Sequence, residues 1–317
     1  MQLRYIWISF VVFFFTNLAL AEFPEKPIRF VVAFAPGSSS DVLARIYAQA
    51  LKESTGQPVI VEPRPGATGS IGADIVAKAS PDGYTILMHS SAIVINPWLS
   101  KPNFNFATDL QPIIRTAHTP YFLVVNNSLP IYNLQDFVNY SKKNPGKLSC
   151  SSYGNGSPPH LGLELLKSQA QIDVVHIPYK GFGQALPDLI SGRLDCSIEA
   201  PINVLQQVQA GNIRVIAHTG DKRHELMPLA QPFGELYPNA IVDGWQAIFV
   251  PAGTPNAIVG RLNSEFAKLL RNPDVIKKIK DTGFEPVGDT VSDFSQVMTS
   301  DFSRYGNIIK QQKIRAE

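Results

Sequence analysis

Cysteine is nearly missing from this chain. Its 317 residues hold two, Cys150 and Cys196, too few and too far apart for a metal site. Charge is sparse as well. Acidic and basic residues make up 17% of the chain, and 28 Lys and Arg against 26 Asp and Glu leave a net charge of +2. With no basic run and no acidic tail, nucleic acid and charged membrane surfaces are poor partners. No stretch beyond the N-terminus is apolar enough to span a bilayer. A G-x-G-x-x-G fingerprint, a P-loop lysine and a G-x-S-x-G elbow are all lacking, which argues against nucleotide binding and against an α/β-hydrolase nucleophile. No histidine pair has metal-ligand spacing, and no cofactor is expected.

Proline and glycine are plentiful, 25 and 22 residues spread along the whole length. This suits many short elements joined by tight turns. Arg4, the apolar run Ile6 to Phe15 and Ala19-Leu20-Ala21 have the pattern of a cleavable secretory signal peptide, so residues 1–21 are read as a leader cleaved near Ala21 and the chain as exported. In that compartment a disulfide between Cys150 and Cys196 is permitted. Both also fall in predicted buried strands, where a free thiol acts as a small hydrophobe.

The chain is organised around residues 28–79. Strand Ile28–Phe34 runs into Pro36, Gly37, Ser38, Ser39 and Asp41, and then into a helix with Leu43, Ile46, Tyr47, Ala50 and Leu51 on one face. Ser38 and Asp41 resemble a capping box. Strand Val59–Val61 leads into Arg64-Pro65-Gly66-Ala67-Thr68-Gly69 and a helix lined by Ile71, Ile75, Val76 and Ala79. A third strand, Tyr84–His89, ends at Ser90 and Ser91. Alternation at this spacing implies a parallel sheet with right-handed crossovers. Ligands bind at the carboxyl edge of such sheets, where helix N-termini present free amides to anions.

Residues 96–120 read as irregular. From Tyr121 a second α/β run begins, with strands 121–125, 148–152, 174–177, 195–199 and 214–218. Its turns are Tyr153 to His160, with Ser157 as N-cap and Pro158 at N1, and Pro178-Tyr179-Lys180-Gly181. An apolar strand, Gly244–Val250, returns to the first unit, Thr254 is expected to cap the helix that follows, and an amphipathic helix closes the chain. The reading is two α/β domains joined by a hinge: 22–121 and 244–317 form the first, 122–243 the second, with a ligand cleft between them.

The motifs Phe34-Ala35-Pro36-Gly37 with Asp41, Arg64-Pro65-Gly66-Ala67 with Ile71-Gly72-Ala73, Pro81-Asp82-Gly83-Tyr84-Thr85, Asn96-Pro97, Tyr153-Gly154 with Gly156-Ser157 and His160-Leu161, Pro178-Tyr179-Lys180-Gly181, and Trp245 with Pro251-Ala252-Gly253-Thr254-Pro255 occur in order along the whole mature chain. Together they resemble the Bug-type periplasmic solute receptors of tripartite tricarboxylate transport systems. The resemblance implies a two-domain, type II-like periplasmic-binding-protein fold, with a ligand carboxylate gripped by Pro36–Asp41 and Gly66–Gly69. It also implies delivery of that ligand to membrane permease subunits. Ser38 and Thr68 stand where the family often has a second glycine, and each adds a hydroxyl.

Among the single residues, Arg64 reads as a brace for its loop, and Asp41 as a helix cap more than an anion contact. Phe34 is either an apolar pocket wall or core. Ser90 and Ser91 stand equally as ligand contacts or strand-end hydroxyls. Ser157 reads as a structural N-cap whose helix start points into the cleft, and His160 as a polar contact or a packed ring; the two are a nucleophile and base only if the protein is a hydrolase. Tyr179, beside Gly181, either closes on the ligand or packs the domain interface. The function expected is capture of a small organic acid by a monomeric, non-catalytic receptor. The alternative is a signalling receptor that presents its closed form to a sensor kinase.

Overall fold

The structure, a computed structural model, describes residues 23–311 and 314. The leader assigned to residues 1–21 lies outside them. Among the described residues twelve strands form two six-stranded sheets. They are β1 (Ile28–Val32), β2 (Val59–Pro63), β3 (Thr85–Ser90), β4 (Leu110–Pro120), β5 (Phe122–Asn126), β6 (Ser149–Ser152), β7 (Val175–Pro178), β8 (Cys196–Glu199), β9 (Ile213–His218), β10 (Gln231–Pro232), β11 (Asp243–Pro251) and β12 (Glu285–Pro286). The first sheet has the order β12-β4-β11-β3-β1-β2 and the second β10-β9-β5-β8-β6-β7.

Each sheet is built on the same plan. In the first, β2, β1 and β3 are parallel and β11 runs against β3. In the second, β7, β6 and β8 are parallel and β5 runs against β8. The crossovers are α1 (Ser39–Thr55) and α2 (Ser70–Ala77) in the first sheet. After the four-residue α3 (Ala92–Ile95) and α4 (Phe106–Asp109), α5 (Leu134–Lys143) leads into the second sheet, whose crossovers are α6 (Pro158–Ala170) and α7 (Phe182–Ser191). The helices α8 (Pro201–Gln209), α9 (Asn256–Leu269), α10 (Pro273–Lys280) and α11 (Val291–Gln311) complete the two domains. Among the described residues no helix is long and apolar enough to cross a membrane.

Local chemistry accounts for most element ends. Ser38 accepts from the Asp41 amide at 3.3 Å and starts α1, which stops where Gly56 takes a left-handed backbone (φ 73°). Asn133 and Asn272 cap α5 and α10 in the same way. The strands β1, β3 and β11 are almost wholly buried, as sheet covered on both faces requires.

Three expectations from the sequence change here. Residues 110–120, read as irregular, form the eleven-residue β4 paired along β11. The register shifts twice along that pair, setting Ile113 and Thr116 as extra residues in β4. Bulges interrupt a two-residue alternation and so hide the strand from a periodicity reading. Thr254 does not cap α9; its hydroxyl donates to the Pro251 carbonyl at 2.8 Å, and Pro255 occupies the cap. Ile71 is 49% exposed at the rim instead of lining the core.

The chain crosses between sheets twice, from β4 to β5 at Tyr121 and from β10 to β11 between Pro232 and Asp243. Thr219 ties the crossings together. Its amide donates to the Tyr121 carbonyl, its hydroxyl oxygen accepts from the Tyr121 amide, and its carbonyl accepts from the Val242 amide, each at 2.9 Å.

Candidate functional site

Strand order locates the site. From β1 the chain crosses to β2 on one side, and from β2 it returns past β1 to β3 on the other. The loops leaving β1 and β3 therefore diverge, and a crevice opens outside their carboxyl ends. The second sheet repeats this between β6 and β8. The two crevices meet: the rings of Phe34, after β1, and Tyr153, after β6, lie edge to face with centroids 5.8 Å apart.

On the first-domain side, three strand-to-helix turns sit next to one another. In the first, Asp41 is buried. It accepts from the Gly37 amide at 3.0 Å and pairs with Arg45, also at 3.0 Å, so its charge is spent on the loop and helix, not on an anion. The first-turn amides of α1 at Ser39 and Ser40 have no acceptor within the helix. Ser40 donates its hydroxyl to Gln246 on β11 at 2.7 Å, anchoring the turn to the sheet.

The second turn is backbone under strain. Gly66, Ala67, Thr68 and Gly69 all have positive φ, at 135°, 47°, 52° and 91°. Left-handed conformations cost non-glycine residues on the order of 1–3 kcal/mol each. Gly69 cannot be replaced cheaply, because a Cβ there would lie 2.3 Å from Nε2 of His89. His89 is fully enclosed, with Nδ1 2.8 Å from the Ser90 carbonyl and its ring 5.2 Å from Phe34. Burial lowers its pKa to about 4, so the ring is a neutral prop under the turn. Arg64 points away into a surface pair with Glu62, which also binds Arg29 at 2.5 Å; chiefly through the Arg29 hydrogen bond, the Glu62 pKa falls to about 2. Arg64 is the brace the sequence suggested. The third turn brings Ser90 and Ser91 to the crevice floor, with Ser90 beside the Tyr153 hydroxyl and Ser91 beside that of Tyr121.

On the opposite side, Ser157 caps α6 by accepting from the His160 amide at 3.3 Å, and it donates to Ser152 at 3.3 Å. His160 accepts from the Gly156 amide through Nδ1 at 3.2 Å and stacks on His176 with centroids 4.2 Å apart. Burial, with the charge of neighbouring His176 adding to it, lowers the His160 pKa to about 3. The ring meets the Gly156 amide and the Ser157 oxygen meets a backbone amide and another serine, so Ser157 and His160 do not pair as nucleophile and base. Tyr179 also departs from the closing role open to it: its hydroxyl donates to Asp188 on α7 at 2.7 Å, within its own domain. Gly181 begins α7 without a side-chain cap. Cys150 and Cys196 are free buried thiols on directly paired positions of β6 and β8, not a disulfide; the Cys196 thiol donates to the Ser149 carbonyl at 3.5 Å.

Phe34, Thr68 and Ser90 thus meet the second-domain residues Tyr153 and Asn155, and Ser91 lies beside Tyr121; the Pro36–Asp41 turn leaves the same sheet edge, Ser157 and His160 are enclosed at the start of α6, and Tyr179 bonds within its own domain. Sequence reasoning passed over four participants. Tyr153 and Asn96 belonged to quoted motifs without an assigned role, and Tyr121 lay in a strand. Asn96 donates to Ser70 at 2.9 Å and to the Ala67 carbonyl at 3.4 Å, holding the strained turn. The Tyr121 and Tyr153 hydroxyls lie 3.3 Å apart. Glu199, at the end of β8, is buried with Asn203 donating at 3.0 Å, and burial raises its pKa to about 8.

The model of the tripartite tricarboxylate transporter family receptor matches residues 43–314. The chain belongs to that family. A protein from Pseudomonas sp. strain P51, encoded between tcbD and tcbE, is 34% identical over 94% of this chain and 89% of its own. Among solved structures, Rpa4515 of R. palustris, determined with adipate, is 31% identical with a TM-score of 0.89 over 93% of this chain and 99% of that one. The periplasmic binding protein BugD is 28% identical with a TM-score of 0.87 over 93% of this chain and 100% of its own. The two-domain periplasmic-binding-protein fold and the Bug-type resemblance hold, and this receptor family is one of solute-binding proteins.

Proposed function

We propose that this receptor captures a small dicarboxylate or related organic acid in the periplasm and hands it to a membrane permease of the tripartite tricarboxylate type. The leader would be cleaved near Ala21, and the domains would divide at Tyr121 and Asp243, each closing as a rigid unit on the hinge held by Thr219. A carboxylate fits between the first turns of α1 and α2, taking hydrogen bonds from the amides of Ser39, Ser40, Ala67 and Thr68. A hydrogen bond to a charged group contributes about 1.5–3 kcal/mol, so three or four offset much of the cost of stripping water from the anion. Ser90 and Ser91 would serve the same group from below. The rings of Phe34 and Tyr153 would flank the ligand body.

One observation carries this reading: three consecutive strand-to-helix turns leave the same edge of one sheet, and the second of them is held in a costly left-handed path, whose amides would face the gap. Adipate in the related R. palustris protein supports the ligand class. Differential scanning fluorimetry with adipate, malate, benzoate, aspartate and glucose tests it. At least one acid should raise the melting temperature in a concentration-dependent way. Stabilisation by glucose and by none of the acids would refute the ligand class.

A further inference from the structure

We propose that the side chain of Thr68 is a positioning group: its hydroxyl latches the second domain over the cleft and does not itself contact the ligand. The inference rests on the clamp described above and concerns what holds it shut. Thr68 Oγ1 donates to the Asn155 carbonyl at 2.7 Å, across 87 residues and from one domain to the other. The same oxygen sits 3.0 Å from where a Cβ on Gly154 would be, so the second-domain loop is shaped to receive it. A neighbouring contact reinforces the latch: Asn96, which holds the Thr68 turn through Ala67 and Ser70, has its Oδ1 2.7 Å from a Cβ position on Gly156.

The backbone of Thr68 points the same way. At φ 52° and ψ 40° it holds a conformation that a β-branched residue rarely adopts. Strain of this kind persists where the surroundings over-determine it, and here they are the His89 prop below, Asn96 beside, and the Asn155 carbonyl across the gap. The hydroxyl is therefore committed to protein, and the amides of the same turn are left for the anion. Because the latch joins the domains without passing through a ligand, it biases the closed arrangement before any ligand arrives, and a ligand then adds only its own preference for that arrangement.

Small-angle X-ray scattering on the ligand-free, full-length mature protein tests the proposal. The Thr68→Val variant keeps the side-chain shape and loses the donor; its radius of gyration should rise above that of the wild type. Thr68→Ser keeps the donor and should scatter like the wild type. Thr68→Gly removes both donor and strain, so it should fold at least as stably as the wild type and still open; this covers the case in which the valine variant fails to fold. Unchanged scattering for both Thr68→Val and Thr68→Gly, or opening of Thr68→Ser to the same extent, would overturn the latch. A wild type that is stabilised by adipate while every Thr68 variant stays compact would sink the latch and leave the carboxylate clamp standing.

Discussion

At the scale of single residues, the site depends on backbone conformations that few side chains tolerate. Gly69 is the sharpest case. Gly69→Ala must place a Cβ at φ 91°, against His89 at 2.3 Å. The expected outcome is a melting temperature lower by several degrees and loss of stabilisation by whichever acid binds the wild type, both read by scanning fluorimetry. Gly69→Ala with His89→Ala removes the collision but not the strain, so it should recover stability only in part. Glu199 makes a second test. Its pKa stands near 8 in the folded protein against 4.5 for the free side chain. Between those values the folded state keeps a proton that the unfolded state has released, so stability falls as pH rises, by up to about 1.4 kcal/mol per pH unit. Glu199→Gln has no such proton; its stability should be flatter between pH 5 and 8 in urea denaturation, and a variant that tracks the wild type would contradict the assignment.

At the scale of elements, helix starts do two jobs. Ser38 and Ser157 each satisfy a first-turn amide, and each starts a helix directly after a strand-end turn. Replacing such a cap by alanine typically costs about 1 kcal/mol. Ser157→Ala should therefore lower the urea midpoint modestly, and the loss of its bond to Ser152 adds to this. It should leave acid binding in place, because the proposed donors to the anion are amides of the first-domain turns. Abolition of binding with unchanged stability would mean that the Ser157 hydroxyl itself touches ligand. How much of this level was legible beforehand differs by element. Caps with short-range partners (Ser38, Ser157) were readable, since their partners are within four residues. β4 was not, because its bulges are set by the partner strand β11. Thr254 was misassigned although its partner is local: its hydroxyl turns back to the Pro251 carbonyl three residues earlier instead of to the helix amides.

At the scale of the whole molecule, several buried groups make stability depend on pH in opposing ways. His89, His176 and His218 fall to about 4 and His160 to about 3, burial being the first cause in each, against 6.5 for the free side chain. Below 6.5 the unfolded chain takes up protons that these rings refuse, so stability rises with pH up to that point. Glu199 lowers it with each further step toward 8. The melting temperature should consequently peak between pH 6 and 7, and His160→Gln should soften the acid limb; a melting temperature that does not fall below pH 6 would contradict the buried neutral histidines, and a peak above pH 8 the protonated Glu199. The hinge is a separate determinant. Thr219→Val removes the hydroxyl that accepts from the Tyr121 amide and donates to the Val242 carbonyl. Buried groups left unpaired cost about 1–3 kcal/mol, which predicts a drop of several degrees in melting temperature.

By itself the sequence determined the alternation of strand and helix, the two-unit organisation with two crossings, the glycine- and serine-rich turns at the carboxyl edge, and the family. These features follow from local periodicity, turn chemistry and motif order, all of which operate within a few residues. Only the tertiary structure decided which groups face each other across the cleft. Thr68 and Asn155, Phe34 and Tyr153, and Asn96 and Gly156 are paired by strand order and by the closing of one domain on the other. Such pairings depend on distances between segments far apart in the chain, and no local pattern encodes them.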